Sequence, residues 1–406
     1  MPEDLAQSPP DNSARTLRAL KAQFFISFAV LGAFWPYLSV YFQERGLSDS
    51  QIGWVFAAAC VPNIFSPFAT TLLADTRLNA RRLLAWLFVL GGVTMGLLHV
   101  ARGFWAILGA FVLYRATYAS ILPLQDGINF SLQESRRSRG IEPVPYHRVR
   151  IWGSIGYMAP SFIIYLLMQW GCGTSVSLST TIALCAMAAL NLLVLLPALP
   201  DPAADAAAGA QLPSLQAIRV LARPPLRIFC IAMFILWVGV TAWATFYPIR
   251  LKELGVPVKW LGPVSSISIA IEIVFVAFYG RILERLGLRR VMLLGAGAAA
   301  VRFALLAVPH PAVAIATQML HGPWVLALFV APQSFINRNA GDRFRHSMQG
   351  IYTMFISGLA VMAGNLLCGW VMQRRGAAAL FYVAAACALV AMFLLWMAFH
   401  EEHREA

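Results

Sequence analysis

The sequence predicts an all-α membrane protein of twelve transmembrane helices in two pseudo-symmetric six-helix bundles, and three observations carry that expectation. Hydrophobic residues make up 59% of the 406 and charged residues only 12%, where a soluble domain carries about 25% charge. The charges cluster between apolar runs of about 20 residues, the length that crosses roughly 30 Å of hydrocarbon. Shifting the chain by 209 residues lays Gly46 on Gly255, Gly53 on Gly262, Asn63 on Glu272, Thr71 on Gly280 and Asp75 on Glu284. That offset joins two stretches on either side of a change in composition near the middle of the chain.

In chain order, the first span (22–43) follows Arg15, Arg18 and Lys21, and the second (51–73) ends before Asp75 and Arg77. The third (83–100) starts after the Arg81, Arg82 pair, and the fourth (104–125) closes on Asp126. Arg148 and Arg150 open the fifth (150–169), and the sixth (177–199) runs into Pro200 and Asp201. Beyond a weakly apolar stretch, the remaining runs occupy 228–249, 261–281, 290–308, 311–335, 348–371 and 377–399. The eighth and eleventh are interrupted by polar residues and are fixed by the alternation of their neighbours. Helices satisfy every backbone group internally, and these runs are about twice the length of a barrel strand.

Lys and Arg counts set the expected orientation. With the amino terminus inside, cytoplasmic segments hold 22 of the 31 and outside segments 7, while Arg115 and Arg302 fall within spans. That bias places both termini in the cytoplasm of an inner-membrane protein. The domains read as a bundle over 1–199, a cytoplasmic linker over 200–227 rich in Ala and Pro, and a bundle with tail over 228–406. Near the amino terminus no short apolar segment precedes a small-residue cleavage site, so a removable signal peptide is not expected.

The net charge of +13 sits at span ends, where it faces lipid headgroups; the partners expected are therefore membrane lipid, a small organic substrate and protons, and not nucleic acid. A monomer is expected. The six cysteines show no CxxC spacing, so neither a disulfide framework nor a metal site is predicted, and no cofactor. Walker, HExxH and GxSxG motifs are absent. An integral membrane transferase built on Asp126 and His147 is the nearest enzyme alternative, and it lacks a sizeable extramembrane domain.

Arg115, Glu272, Arg302 and His321 lie where hydrocarbon should be. A charge there costs a few kcal/mol even on lenient scales, so such groups turn toward a water-filled cavity or toward one another. Ser265, Ser268 and Glu272 share a helical stripe, and a glutamate alternating between a desolvated and a cation-paired setting can load and release a proton. Glu272 is therefore the first proton-coupling candidate, with Arg302 as either its ion-pair partner, a cation for an anionic substrate, or a snorkelling residue. Gln318 and His321 are three apart and share a face, so His321 joins both the coupling and the binding candidates. Trp35, Tyr37, Trp237 and Trp243 are candidate cavity aromatics, and Asn63 and Asn365 are mid-span amides seeking partners. Asp126 with Arg150 suits a salt bridge or gate. Asp75, Glu284, Arg285 and Arg289 suit a latch at helix ends, with Gly280 allowing close approach.

The stretch from Gly280 to Arg290 resembles the signature loop of the major facilitator superfamily, with Glu284 where an aspartate is more usual. Leu122-Pro123-Leu124-Gln125-Asp126, Val149-Arg150-Ile151-Trp152-Gly153-Ser154-Ile155-Gly156, Glu272 with Phe275, Ala277 and Phe278, Val301-Arg302, and Gln318-Met319-Leu320-His321-Gly322 resemble its phenylpropionate permease branch, related to proton-coupled nucleoside and lactose permeases. The resemblance implies alternating access with proton symport, with Glu272, Arg302 and His321 on the helices that carry coupling and recognition, and Asp126 with Arg150 echoing a charged pair. The chain departs from the pattern three residues after His321, where Trp324 stands in place of an acid.

The expected function is thus proton-coupled import of a small organic solute, an aromatic or amphipathic carboxylate. The alternatives are a nucleoside or sugar symporter, a proton-antiport drug exporter, or a membrane receptor that never cycles.

Overall fold

The computed structural model describes residues 13–65, 79–196 and 221–405, and every regular element among them is helical. Helices α1 (Ser13–Phe34) and α2 (Leu38–Glu44) form one span interrupted by a turn at 35–37, where Pro36 withdraws a backbone donor. Helix α3 (Asp49–Ala58) begins in a capping box between Ser48 and Gln51, two orphan amide donors satisfied reciprocally. Helices α4 (Ala80–Val100), α5 (Phe104–Tyr118), α6 (Ile121–Ser138), α7 (Tyr146–Gln169) and α8 (Val176–Leu190, extended by a π turn over Asn191–Leu195) follow.

The later part contains α9 (Pro224–Glu253), α10 (Leu261–Ala277) and α11 (Tyr279–Ala307), then the broken run α12 (Pro311–Ala316), α13 (His321–Val325) and α14 (Ala331–Thr353), and finally α15 (Val361–Glu405). A 3-10 turn over Thr317–Leu320 and a π turn over Leu326–Val330 flank α13, and they accommodate Gly322 and Pro323 within an otherwise continuous helix.

Ten helices among the described residues are long and apolar enough to cross a membrane, so the chain is an integral membrane protein. Two differences from the expected twelve have local causes. The second expected span runs into residues 66–78, which lie outside those described. The last two appear as one run, Met348–Phe399, broken at Gly376, whose φ of 76° is left-handed. The stretch from Gly280 to Arg290 turns at Gly287, with φ 74°.

Gly46 and Gly255, equivalent under the 209-residue shift, adopt the same turn, with φ 84° and 83°. At this end of the molecule the earlier and later helices meet: α3 packs on α15, α7 on α10, and α2 on α9. Glycine sets the spacing, because lipid tails give apolar side chains no reason to prefer each other and close backbone approach must supply the attraction. A Cβ on Gly369 would stand 2.9 Å from Gly53 Cα. One on Gly262 would overlap the Tyr37 hydroxyl. Lys252 Nζ lies 3.6 Å from Glu44 Oε1, and Lys259 Nζ donates to Gln169 Oε1 at 2.5 Å. At the opposite end, Glu284 and Arg285 are exposed and, with Arg289, make no ion pair among the described residues. The expected latch partner Asp75 lies outside those residues.

Candidate functional site

Three helices bring three of the four mid-span ionisable groups, Glu272, Arg302 and His321, together. A Cβ on Gly322 would overlap the Phe275 ring, and one on Gly295 would overlap Ala327, so α13 and the turn after it lie close against both α10 and α11. Glu272 and Phe275 share α10, Arg302 is two turns beyond Gly295 on α11, and His321 opens α13.

The geometry is a chain of contacts. Arg302 Nη2 donates to Gln318 Oε1 at 2.5 Å, and Arg302 Nη1 lies 2.9 Å from His321 Nδ1. Arginine has no acceptor, so Nδ1 must accept and the ring proton sits on Nε2. That nitrogen faces Glu272 Oε2 at 3.4 Å. The imidazole is therefore held neutral and directional, with a cation behind it and a carboxylate before it.

Arg302 is fully buried, which corrects the snorkelling alternative: its side chain runs inward to His321 and Gln318. No carboxylate makes a direct ion pair with it among the described residues. Its Cζ lies 4.5 Å from the ring centroids of both Trp243 and Trp324, which meet edge to face at 4.8 Å. The guanidinium thus occupies the corner between two perpendicular indoles, and cation–π attraction replaces part of its lost hydration. Trp324 stands where the family resemblance wanted an acid. Glu272 is the accessible end of the relay, with a third of its side chain exposed.

Other expected residues fall elsewhere. Asp126 and Arg150 make no direct salt bridge: Asp126 Oδ1 accepts from the Tyr146 hydroxyl at 2.9 Å, and Arg150 Cζ lies 3.9 Å from the Phe28 ring centroid. Tyr146 comes between the two charges because it begins α7 beside the end of Arg150's own turn. Asn365 does not line open space. It accepts from Thr245 Oγ1 at 2.7 Å and donates to Val361 O at 2.9 Å, joining α9 to α15. Trp237 packs edge to face on Phe329 at 5.2 Å, and Tyr37 is fully buried against Gly262. Asn63 Oδ1 accepts from Arg115 Nη2 at 2.9 Å, with Trp35 beside the same guanidinium at 5.9 Å.

A buried uncharged network escaped sequence reasoning. Ser27 Oγ donates to Gln125 Oε1 at 2.5 Å, Asn191 Nδ2 donates to Gln23 Oε1 at 2.8 Å, and the Tyr118 hydroxyl donates to Ser27 O at 2.9 Å. It ties α1 to α5, α6 and the π turn after α8. The signal available was the presence of Gln23 and Gln125 within apolar runs, since a buried amide demands partners.

A shielded chain of contacts ending on one accessible carboxylate thus lies inside helices of membrane length. Residues 17–383 match the MFS_1 like family, and the chain belongs to that family. It is 25% identical over 377 residues to the maltose permease of Geobacillus stearothermophilus, covering 92% of each chain. It is 24% identical over 392 residues to the "Probable 3-phenylpropionic acid transporter" of Escherichia coli (strain K12), covering 94% of this chain and 97% of that one. A crystal structure of the nucleoside transporter NupG superposes with a TM-score of 0.85 at 21% identity, over 95% of this chain and 100% of the other; at that identity the likeness speaks to fold alone.

Proposed function

We propose that this chain is a twelve-span, proton-coupled importer of a small organic solute, an aromatic or amphipathic carboxylate, working as a monomer in the inner membrane with both termini in the cytoplasm. Two six-helix bundles, 1–199 and 228–406 joined by 200–227, rock about a central site. The packing of α1 on α7 and α4 on α8, and of α9 and α11 on α15, supports that division. With the positive-inside orientation, the glycine-seamed end is the outer face, so the described conformation is closed outward.

The observation that carries the reading is the relay from Gln318 and Arg302 through His321 to Glu272. Glu272 takes a proton while open to the outside and loses its claim on His321 Nε2. The buried cation is then left without a counter-charge, which favours an anionic solute in the same compartment until both are released inside. Binding energy differing between the two facing states is what moves the equilibrium. Asp126, Tyr146 and Arg150 act together at the cytoplasmic ends of α6 and α7, and Glu284 with Arg285 and Arg289 serves the inner latch in the outward-facing state.

Nucleoside symport is the second reading. It is favoured by the 22% identity over 371 residues to the nucleoside permease NupG of Escherichia coli (strain K12), which covers 87% of each chain. Purified protein in liposomes with an acid exterior separates the two: labelled 3-phenylpropionate is expected to accumulate more than uridine. Glu272→Gln is expected to abolish gradient-driven accumulation while counterflow exchange persists. Accumulation by the variant at the wild-type level would place the proton elsewhere.

A further inference from the structure

The importer reading leaves one mid-membrane cation without a role, and Arg302, the other, is closed to any solute by burial and by its two indoles. Arg115 is different. It lies eleven residues into α5 from Phe104, as Glu272 lies eleven residues into α10 from Leu261, so both sit about 16 Å from the same face at about 1.5 Å per residue. On α5 the strongly exposed Trp105 and Leu113 mark the lipid side. At about 100° per residue, Arg115 lies roughly 160° from Leu113 and 80° from Trp105, at the border of the buried face of α5. Its side chain is half-buried, so part of the guanidinium stays accessible. One N–H is taken by Asn63, and no carboxylate lies within ion-pair distance among the described residues.

The repeat explains the placement. Asn63 is the counterpart of Glu272, Trp35 falls one residue from the counterpart of Trp243, and Arg115 falls within a turn of the counterpart of His321. Each half therefore sets a tryptophan, a short polar acceptor and a nitrogen cation or ring at matching positions. In the later half the group is closed upon itself, with Trp243 5.3 Å from His321. In the earlier half the acid is replaced by an amide, so the cation has no carboxylate partner among the described residues.

We propose that Arg115, positioned by Asn63 and flanked by Trp35, is the anion subsite of the transporter and takes the carboxylate of a flat or aromatic monoacid, whereas Arg302 never touches the solute. This rests on the importer reading, with Arg302 moved from the binding to the coupling machinery. A guanidinium offers a planar fork matched to a carboxylate, and the indole beside it offers a face for the solute's ring.

The test is a titration of the full-length purified protein with 3-phenylpropionate and its uncharged analogue 3-phenylpropanamide, read by thermal stabilisation. The wild type is expected to prefer the acid by at least about 10-fold, the scale of one charge-assisted hydrogen bond. Arg115→Gln is expected to erase that preference, and Arg115→Lys to restore part of it, which also controls for folding. No preference in the wild type, or a preference that survives Arg115→Gln, overturns the subsite. Gradient-driven uptake of uridine by a protein indifferent to the acid would sink the subsite and the carboxylate assignment with it, and leave only gradient-driven import standing. Acid-selective binding without uptake of any solute under a gradient would do the reverse.

Discussion

Single side chains in this protein carry obligations that their neighbours must meet. Arg302 has His321 Nδ1 and Gln318 Oε1 as acceptors, and removing one leaves a buried charged donor unsatisfied, at a cost of about 1–3 kcal/mol or more. His321→Ala is therefore expected to lower the melting temperature of the purified protein and to cut gradient-driven uptake below a tenth. Loss of coupling with no loss of stability would mean that the guanidinium finds another acceptor. Trp324→Leu removes one of the two rings at the Arg302 corner and is expected to destabilise by about 0.5–2 kcal/mol, measured by denaturant unfolding in detergent. Lys252 and Glu44 present the opposite case, since both are 39% exposed. Lys252→Gln is expected to change uptake less than twofold, because a solvated pair is worth about 0–1 kcal/mol.

Helices translate these local constraints into the closure of one end. Gly53 and Gly369 let α3 and α15 touch backbone to backbone, so Gly369→Val is expected to force that end apart. Increased maleimide labelling of a cysteine placed at Ser50 would report it, and unchanged labelling would show that the seam yields elsewhere. Much at this scale was legible in the sequence. Span positions follow from apolar length, the matched turns at Gly46 and Gly255 follow from the repeat, and the grouping of Glu272, Arg302 and His321 follows from the cost of isolated charge at depth. What was not legible depends on partners distant in sequence. Asn63 and Asn365 look alike as mid-span amides, yet one meets a cation 52 residues away and the other a threonine 120 residues away. Tyr146 intervenes between Asp126 and Arg150 through the entry angle of α7, which no local pattern encodes.

The whole molecule shows an asymmetry that its repeat conceals. Glu272 and Arg115 each lie eleven residues into their helices, but Arg302 is enclosed by His321, Gln318 and two indoles whereas Arg115 is half-buried with Asn63 as its acceptor, a difference that suits the two cations to separate tasks. The linker reading requires both ends of the chain on one side of the membrane. Protease digestion of right-side-out vesicles is expected to spare tags at either terminus, and cleavage of one tag alone would imply an odd number of crossings. The indole corner around Arg302 also supplies an optical readout. Trp243 and Trp324 stand 5.3 and 5.0 Å from the His321 ring, and indole emission changes with the polarity and contacts around the ring. In a background that keeps Trp35 for the subsite and replaces the remaining nine tryptophans by phenylalanine, the protein's own ultraviolet fluorescence would follow each turnover without an attached dye.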